Sequence, residues 1–202
     1  AGFGPSRGTA HSALAMIGGG DIEWRAGHEV DADRSVSRGT FEFPEPIGRQ
    51  RMVRYPAGEH VTVPRHVRTR NVRTMLTAST TMPPKLGIAA PIFMPGFQLA
   101  LRTPVRRVLD AAIARLPEGP KPESRRAARF TIVCEATQGA RRRRGVIRGE
   151  DVYGMTARSV VAGAMRCTQA DFDRAGALAP SQAFPPRDFL PELEAFGVEW
   201  DV

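Results

Sequence analysis

The sequence predicts an α+β fold, in which a mostly antiparallel or mixed sheet is covered by helices on one face and a C-terminal helix-strand tail follows. Short runs of alternating apolar and polar residues recur around Gly- or Pro-containing turns, which is typical of β-hairpins. Runs with helical spacing occur between them, but strands and helices do not alternate one for one as in a parallel α/β fold. The chain has 202 residues, a length that suits one domain with a substantial core.

The N-terminal half is expected to hold one helix followed by hairpins. The apolar run 13–17 predicts a helix that ends at Gly18-Gly19-Gly20, because consecutive glycines are a strong helix stop. Alternating residues around Gly- or Pro-containing turns predict two hairpins, which pair 21–25 with 28–30 and 51–55 with 59–63. Residues 67–76 are expected to be extended at first, with a change of pattern near Val72.

The C-terminal half is expected to hold three helices and a long hairpin. Thr103-Pro104 is a good helix start, and the helix after it places one apolar face toward the core, formed by Val105, Val108, Leu109, Ala112, Ile113 and Leu116. Strand 126–136 is expected to pair with 142–148 across a turn at Gly139-Ala140. A helix over 155–167 carries an apolar stripe formed by Val160, Val161, Ala164 and Met165. A short helix over 187–196 and a strand over 198–202 complete the chain.

The loop that opens the chain, from Gly4 to Ser12, admits two interpretations. Ser6 or Thr9 can cap the first helix by accepting backbone N–H bonds, while the glycines supply unusual backbone angles. Alternatively, the unpaired N–H groups at the helix start, together with Arg7, can hold a carboxylate, a phosphate or a thioester oxygen. The glycine spacing matches neither GxGxxG nor GxxxxGK[ST]. Spacing favours capping over ligand binding.

Few other residues suggest chemistry. Asp151 and Tyr153 stand just before a predicted helix, and Arg65 and His66 stand at a predicted strand end, where polar groups can face a cleft. Tyr153 fits a pocket hydroxyl as well as a core tyrosine. The four histidines are far apart and form no HxxxH or HExxH pattern, so we expect no metal site.

Charge and composition constrain the partners. The net charge is +8, and 27 of the 29 basic residues are arginine, a bias that a GC-rich coding genome can produce. The arginines are dispersed except for 141–144, which fall at the hairpin turn, so we expect no nucleic acid as partner. Two cysteines without disulfide or ligand spacing favour a reducing compartment, and we expect a cytoplasmic protein without a transmembrane segment.

Several segments, taken in order, resemble the saccharopine dehydrogenase-like reductases, close to the trans-acting enoyl reductase branch. Gly4-Pro5-Ser6-Arg7-Gly8-Thr9-Ala10-His11-Ser12 is similar to the Ser-Gly-Gly-Thr loop of that family. The likeness continues through Tyr55-Pro56-Ala57-Gly58-Glu59-His60-Val61-Thr62-Val63-Pro64-Arg65-His66, Gly119-Pro120, Asp151-Val152-Tyr153-Gly154-Met155-Thr156-Ala157 and 184–198. It spans the whole chain and rests on several weak motifs in order.

The resemblance implies a function for each part. Residues 1–183 would form the substrate and dimerisation domain, and the helix and strand of 184–202 would pack on a nucleotide-binding domain. Ser6, Arg7 and Thr9 would act in catalysis as oxyanion donors, and the substrate-binding residues would be Gly8, Arg65, His66 and Tyr153. NADP or NAD would serve the full-length enzyme and none would be bound by this fragment. Partners would be a small-molecule or acyl substrate of lipid metabolism and a second copy in a homodimer, with an acyl carrier or a separate nucleotide-binding subunit as a further partner.

The chain departs from the family pattern in two ways. Arg7 stands where a glycine is usual, and no strand–GxGxxG–helix unit is present. The first methionine is Met16, and together these features predict the C-terminal portion of a longer reductase that is inactive alone. The alternative is a non-catalytic binding or assembly module that docks a partner protein. A nucleic-acid-binding domain that uses 141–144 is a third hypothesis.

The segment 86–101 is apolar and interrupted by prolines. It could line a groove for an acyl chain, or it could form ordinary core or an interface with a second subunit. Composition favours the second interpretation.

Overall fold

The computed structural model describes residues 6–18, 22–32, 38–55, 57–81, 96, 99–101 and 103–202. Two compact units divide the chain, one from Gly4 to Gly119 and the other containing Pro120–Val202. The described strands form three small sheets, and every strand pair in them is antiparallel. The α+β prediction is therefore confirmed, with the strands divided among three sheets.

The first unit begins with a helix and contains a two-stranded and a three-stranded sheet. Its helices are α1 (Arg7–Gly18), α2 (Glu59–Thr62), a 3-10 turn (Val63–Arg65), α3 (Ala78–Thr81) and α4 (Val105–Ala114). Its strands are β1 (Ile22–Arg25), β2 (His28–Asp31), β3 (Arg38–Glu42), β4 (Arg49–Arg54) and β5 (Met75–Thr77). The described core side chains of this unit are Leu14, Met52 and Leu101.

The first hairpin is confirmed. β1 pairs with β2, and Ala26 and Gly27 form its turn with φ values of 55° and 90°. Two positive φ values in a two-residue turn match the right-handed twist of the strands. Asn71 Oδ1 accepts the Ala26 N–H at 3.1 Å, so a polar side chain distant in sequence supports this strained position.

The second predicted hairpin is wrong. Residues 59–62 form helix α2, and β4 pairs with β3 and β5 instead. In an ordinary amphipathic strand over 59–63, Val61 would be buried and His60 exposed. The structure has the reverse, with His60 buried and Val61 38% exposed, so the alternating pattern was misleading. The helical turn places the His60 ring beside Thr74 and Trp24, which the sequence pattern alone does not reveal.

The strand expectations around this sheet need two further corrections. β3 is a five-residue strand that the sequence analysis missed. The extended stretch expected over 67–76 contributes only the bridge between Val72 and Trp24 and the start of β5. The pattern was ambiguous because β3 is short and because three of the ten residues of 67–76 are arginine.

The second unit is built around a three-stranded sheet with the order β6-β7-β8. Its elements are α5 (Pro122–Ala127), β6 (Arg129–Gln138), β7 (Arg141–Glu150), α6 (Val152–Cys167), α7 (Pro180–Ala183), α8 (Pro186–Glu194) and β8 (Glu199–Asp201). The long hairpin is confirmed with its turn at Gly139-Ala140. Its first strand begins at Arg129 rather than at 126, because Pro122 starts a helix that runs to Ala127.

The C-terminal segment 184–202 belongs to this second unit. Its helix and strand form as predicted, and β8 pairs with β7, which places Trp200 opposite Ile147. Val198 and Leu193 are buried. Packing of this segment on a nucleotide-binding domain stays a prediction.

Two helices present apolar stripes that are only partly covered. Of the core face expected on α4 and its end, only Leu109 and Ile113 are half-buried. The expectation is wrong at the other four positions, which are exposed: Val105, Val108, Ala112 and Leu116. On α6, the stripe formed by Val160, Val161, Ala164 and Met165 is exposed throughout. Helical periodicity identified both stripes correctly, but it does not determine whether anything packs on them. Most of the segment 86–101 lies outside the described residues.

Candidate functional site

The first turn of α1 is capped by Ser6. Ser6 Oγ accepts the Thr9 N–H at 3.1 Å and lies 2.9 Å from Thr9 Oγ1. The Ala10 N–H reaches the Ser6 carbonyl at 2.9 Å. A side-chain oxygen that accepts the N–H three residues on is the usual N-cap arrangement, so the capping interpretation of the loop holds.

Arg7 joins this turn to the end of α4. Its Nε and Nη2 donate to the Leu116 carbonyl at 3.2 and 3.1 Å. These bonds use two of the five N–H groups of the guanidinium. They fix Arg7 against the Leu116 carbonyl, so its side chain is not free to turn toward a substrate oxyanion. Gly8 is exposed, and the structure describes no acceptor for the backbone N–H groups of Arg7 and Gly8 among the residues it covers. These two N–H groups are where a ligand oxygen could bind.

Arg65 and His66 lie at the end of the 3-10 turn, and both are exposed. His66 Nδ1 donates to the Thr62 carbonyl at 2.9 Å, so one ring nitrogen stabilises the turn and the other stays accessible. Tyr153 is half-buried in the first turn of α6, in the second unit. The predicted site residues therefore occupy three helix ends distributed over both units.

A buried histidine network was missed by the sequence analysis. His60 is 3% exposed, and its Nδ1 accepts the Trp24 N–H at 3.5 Å while its Nε2 lies 2.8 Å from Thr74 Oγ1. Thr74 Oγ1 donates to the Tyr55 carbonyl. These partners fit a neutral ring that donates from Nε2, so His60 holds β1, α2 and the start of β5 together.

A second polar cluster lies close to this network, on the same strand. Glu23 is 9% exposed and pairs with Arg25 and Arg54. Burial acts to raise the pKa of the Glu23 carboxyl, but the hydrogen bonds and charges of Arg25 and Arg54 together lower the pKa below its ordinary value. Both clusters have their hydrogen-bonding groups satisfied inside the unit, so we assign them to stability.

The second unit contains an open cavity of about 320 Å³ at the start of α6. It is lined by Arg125, Arg126, Glu150, Asp151, Met155, Arg158 and Phe196. Asp151 caps α6 by accepting the Gly154 N–H at 3.0 Å, and its own backbone is left-handed with φ 47°. We call this cavity the arginine cleft.

Asp151 and Arg125 form a two-point ion pair in the arginine cleft. Arg125 Nη2 donates to Asp151 Oδ2 at 3.0 Å, and Arg125 Nε lies 2.9 Å from Oδ1. Burial acts to raise the pKa of Asp151, but the Gly154 N–H and the positive charges of Arg125 and Arg158 lower the pKa below its ordinary value. Asp151 therefore stays ionised near neutral pH and is unsuited to act as a general base there.

The basic run at the hairpin turn is partly neutralised. Arg142 and Arg144 both reach Glu135 on the neighbouring strand, at 2.5 and 3.9 Å. Exposed pairs of this kind contribute little stability, but they reduce the positive field of the turn.

Over the part of the chain that the structure describes, no three His, Cys, Asp or Glu side chains are grouped as metal ligands would be. A search of the described residues for a helix of the length and apolar character needed to cross a bilayer found none.

Two comparisons with known proteins gave no relative for this chain. No protein-family model matches it, and a search of curated proteins returned no match. Its function therefore has to be argued from its own residues.

Proposed function

We propose that this chain is the substrate-side portion of an NAD(P)H-dependent reductase of the saccharopine dehydrogenase-like type, which reduces an enoyl, imine or related acyl substrate when joined to a Rossmann domain. The observation that carries the proposal is the order of the family-like segments, from the loop before α1 to the turn before α6. The hydride would come from the cofactor, and this chain would bind and orient the acceptor.

The described geometry supports the proposal at α1. Ser6 caps the helix and leaves the backbone N–H groups of Arg7 and Gly8 without a described acceptor. N–H groups at a helix start favour negative charge, which the carbonyl oxygen of an enoyl acceptor develops as hydride adds to its conjugated double bond. Arg7, which donates to the Leu116 carbonyl, holds this turn in place. Thr9 supplies the backbone N–H that Ser6 caps.

All described strand pairs are antiparallel. A dinucleotide-binding domain needs parallel βαβ units with a phosphate-binding turn. Within the described residues this chain offers no such unit, so NAD(P)H binding would depend on another domain. Homodimerisation and a cytoplasmic location belong to the same proposal.

Calorimetry tests the cofactor requirement. NADPH is titrated into this chain and into the polypeptide encoded with the preceding sequence. We expect saturable binding only with the longer polypeptide, and reduction of an enoyl thioester by it, followed as loss of NADPH absorbance. If the longer polypeptide binds no NADPH and reduces no thioester, the reductase proposal is wrong.

A non-catalytic docking module is the second candidate function, and the exposed stripe of α6 favours it. Val160 and Met165 are each 66% exposed, and Val161 and Ala164 of the same stripe are exposed beside them. A separate nucleotide-binding subunit with an apolar face would be the partner. Met165→Glu should abolish association with such a subunit, because it places a charge in the apolar stripe. If the chain instead works as part of a covalently joined reductase and nothing docks on this stripe, Met165→Glu should leave the reductase activity unchanged.

A further inference from the structure

The two carboxylates of the arginine cleft each have an arginine of their own. Asp151 pairs with Arg125, and Glu150 pairs with Arg129, which lies on the opposite strand of the hairpin. The remaining cleft arginines are Arg126 and Arg158, and no ion pair is described for either within residues 103–202. The cleft therefore presents two guanidinium groups that form no described ion pair, although Arg158 is close enough to Asp151 to contribute to lowering the pKa of that carboxyl.

Arg125 is held by Asp151. Its Nε lies 2.9 Å from Asp151 Oδ1, and its Nη2 donates to Oδ2 at 3.0 Å. Both of these nitrogens therefore face a carboxylate already, and the guanidinium groups left to meet a ligand are those of Arg126 and Arg158.

The cleft also has an apolar wall. The guanidinium of Arg158 lies over the Phe196 ring, 5.4 Å from its centre, and Met155 lines the same cavity. The ring orients Arg158 without neutralising it, because a cation over an aromatic face keeps its charge and its outward N–H groups. A ligand here would meet positive charge from the guanidinium groups and apolar atoms of Met155 and Phe196.

We propose that the arginine cleft binds the phosphate monoester group of a small molecule. A phosphate monoester carries close to two negative charges and three acceptor oxygens near neutral pH, which matches the two guanidinium groups of the cleft that form no described ion pair. A volume of about 320 Å³ lies at the small end of ligand sites and suits a phosphate with a short organic portion. Phosphate binding in the arginine cleft does not depend on the reductase function proposed above.

Calorimetric titration of the full 202-residue chain with phenyl phosphate tests the site, because the phenyl group can contact Phe196. Arg126→Gln and Arg158→Gln should each weaken binding by about tenfold or more, since each removes a charged hydrogen-bond donor. Arg143→Gln, an exposed arginine of the hairpin and so a matched loss of charge, should change the affinity by less than about twofold.

Four further ligands identify the kind of phosphate that the cleft binds. Inorganic phosphate should bind more weakly than phenyl phosphate, while benzoate and the diester dimethyl phosphate should bind more weakly still. A short oligonucleotide should not compete with phenyl phosphate. Far-UV circular dichroism of each variant separates lost binding from lost folding.

Three results would overturn the proposal. The first is the absence of saturable phenyl phosphate binding to the unmutated chain. The second is an equal loss in Arg143→Gln and in the two cleft variants. The third is tighter binding of the oligonucleotide than of the monoester, which would assign the cleft to nucleic-acid backbone instead.

Discussion

Arg54 Nη1 on β4 donates to Glu23 Oε1 on β1 at 2.7 Å. The side chains are 16% and 12% exposed, respectively, so the bond connects the two sheets of the first unit where water is largely excluded. Arg25 pairs with the other carboxylate oxygen of Glu23. A single carboxylate thus connects β1 with β4, and its ionisation is coupled to the stability of the unit.

We expect the stability of this unit to fall in acid because of Glu23. Folding lowers the pKa of Glu23 below its ordinary value of 4.5. Its contribution to the free energy of unfolding is therefore complete above the unfolded-state pKa and is lost as the pH falls through the folded-state pKa. Urea denaturation at several pH values between 7 and 3 should show this loss. Glu23→Gln should reduce the free energy of unfolding at pH 7 by about 1–3 kcal/mol and flatten the acid dependence.

Glu29→Gln is the control for this experiment, because Glu29 is exposed on β2. It should leave both the stability at pH 7 and its acid dependence almost unchanged. An equally steep acid dependence in Glu23→Gln would show that other carboxyl groups dominate.

Replacement of the buried His60 should be costly even by a residue of similar shape. His60→Phe leaves the Trp24 N–H without its acceptor and removes a partner from Thr74 Oγ1. Each buried group left unsatisfied costs about 1–3 kcal/mol. Chemical denaturation of His60→Phe, Thr74→Val and the double variant should reveal coupling between the two sites, since they are in direct contact.

His66→Phe provides the comparison, because His66 is exposed. Its effect should stay within about 0.5 kcal/mol. Equal losses from the two histidine substitutions would contradict the structural role assigned to His60.

Removal of the α1 cap should destabilise the first unit. Ser6→Ala eliminates the acceptor of the Thr9 N–H and should cost about 1 kcal/mol, whereas Ser6→Asp should retain the cap. Thermal unfolding measures both. Ser12→Ala, at an exposed position of the same helix, should have little effect. In the intact reductase, unchanged turnover of Ser6→Ala and Arg7→Ala would exclude the oxyanion role of these side chains.

Neutralising Asp151 should strengthen phosphate binding. Asp151→Asn keeps a cap for the Gly154 N–H and tolerates φ 47°, but it removes a negative charge from the arginine cleft and frees the guanidinium of Arg125. We expect phenyl phosphate to bind several-fold more tightly to this variant by calorimetry. Weaker binding in a folded variant would mean that the Asp151–Arg125 pair shapes the site rather than opposing the ligand.

The same substitution should lower stability modestly. Arg125 is 42% exposed, so the pair is screened by water and its loss should cost about 1 kcal/mol or less. Since the pKa of Asp151 is lowered from 3.8, the unmutated pair adds stability above that pH, and this stability disappears as the pH falls through the folded value.

Elements that depend on neighbouring residues were predictable from the sequence. α1, the β1-β2 hairpin, the β6-β7 hairpin and α8 follow from apolar spacing, from Gly-containing turns and from proline at helix starts. Their contacts are formed between residues close in sequence, so the pattern contains the necessary information. The boundary errors, as at Arg129, arose where a proline started an additional short helix.

The candidate sites were less accessible to such reasoning. The cap at Ser6 could be predicted because its partner lies three residues away. The Arg7 bond to Leu116 spans 109 residues, and the Arg125 pair with Asp151 spans 26. No local pattern identifies such partners. The sequence therefore marked Asp151 as a polar residue before a helix but did not predict the arginine cleft around it.

The sequence by itself determined the α+β class, the β1-β2 and β6-β7 hairpins and the amphipathic helices, because these are set by interactions along a few consecutive residues. Only the tertiary structure decided that residues 59–62 are helical, since burying His60 with its hydrogen-bond partners requires groups from three separate segments. It also decided which arginines are neutralised and which are not. Charge pairing depends on distance in space, and the chain had to fold before Arg126 and Arg158 could share a cleft with Phe196.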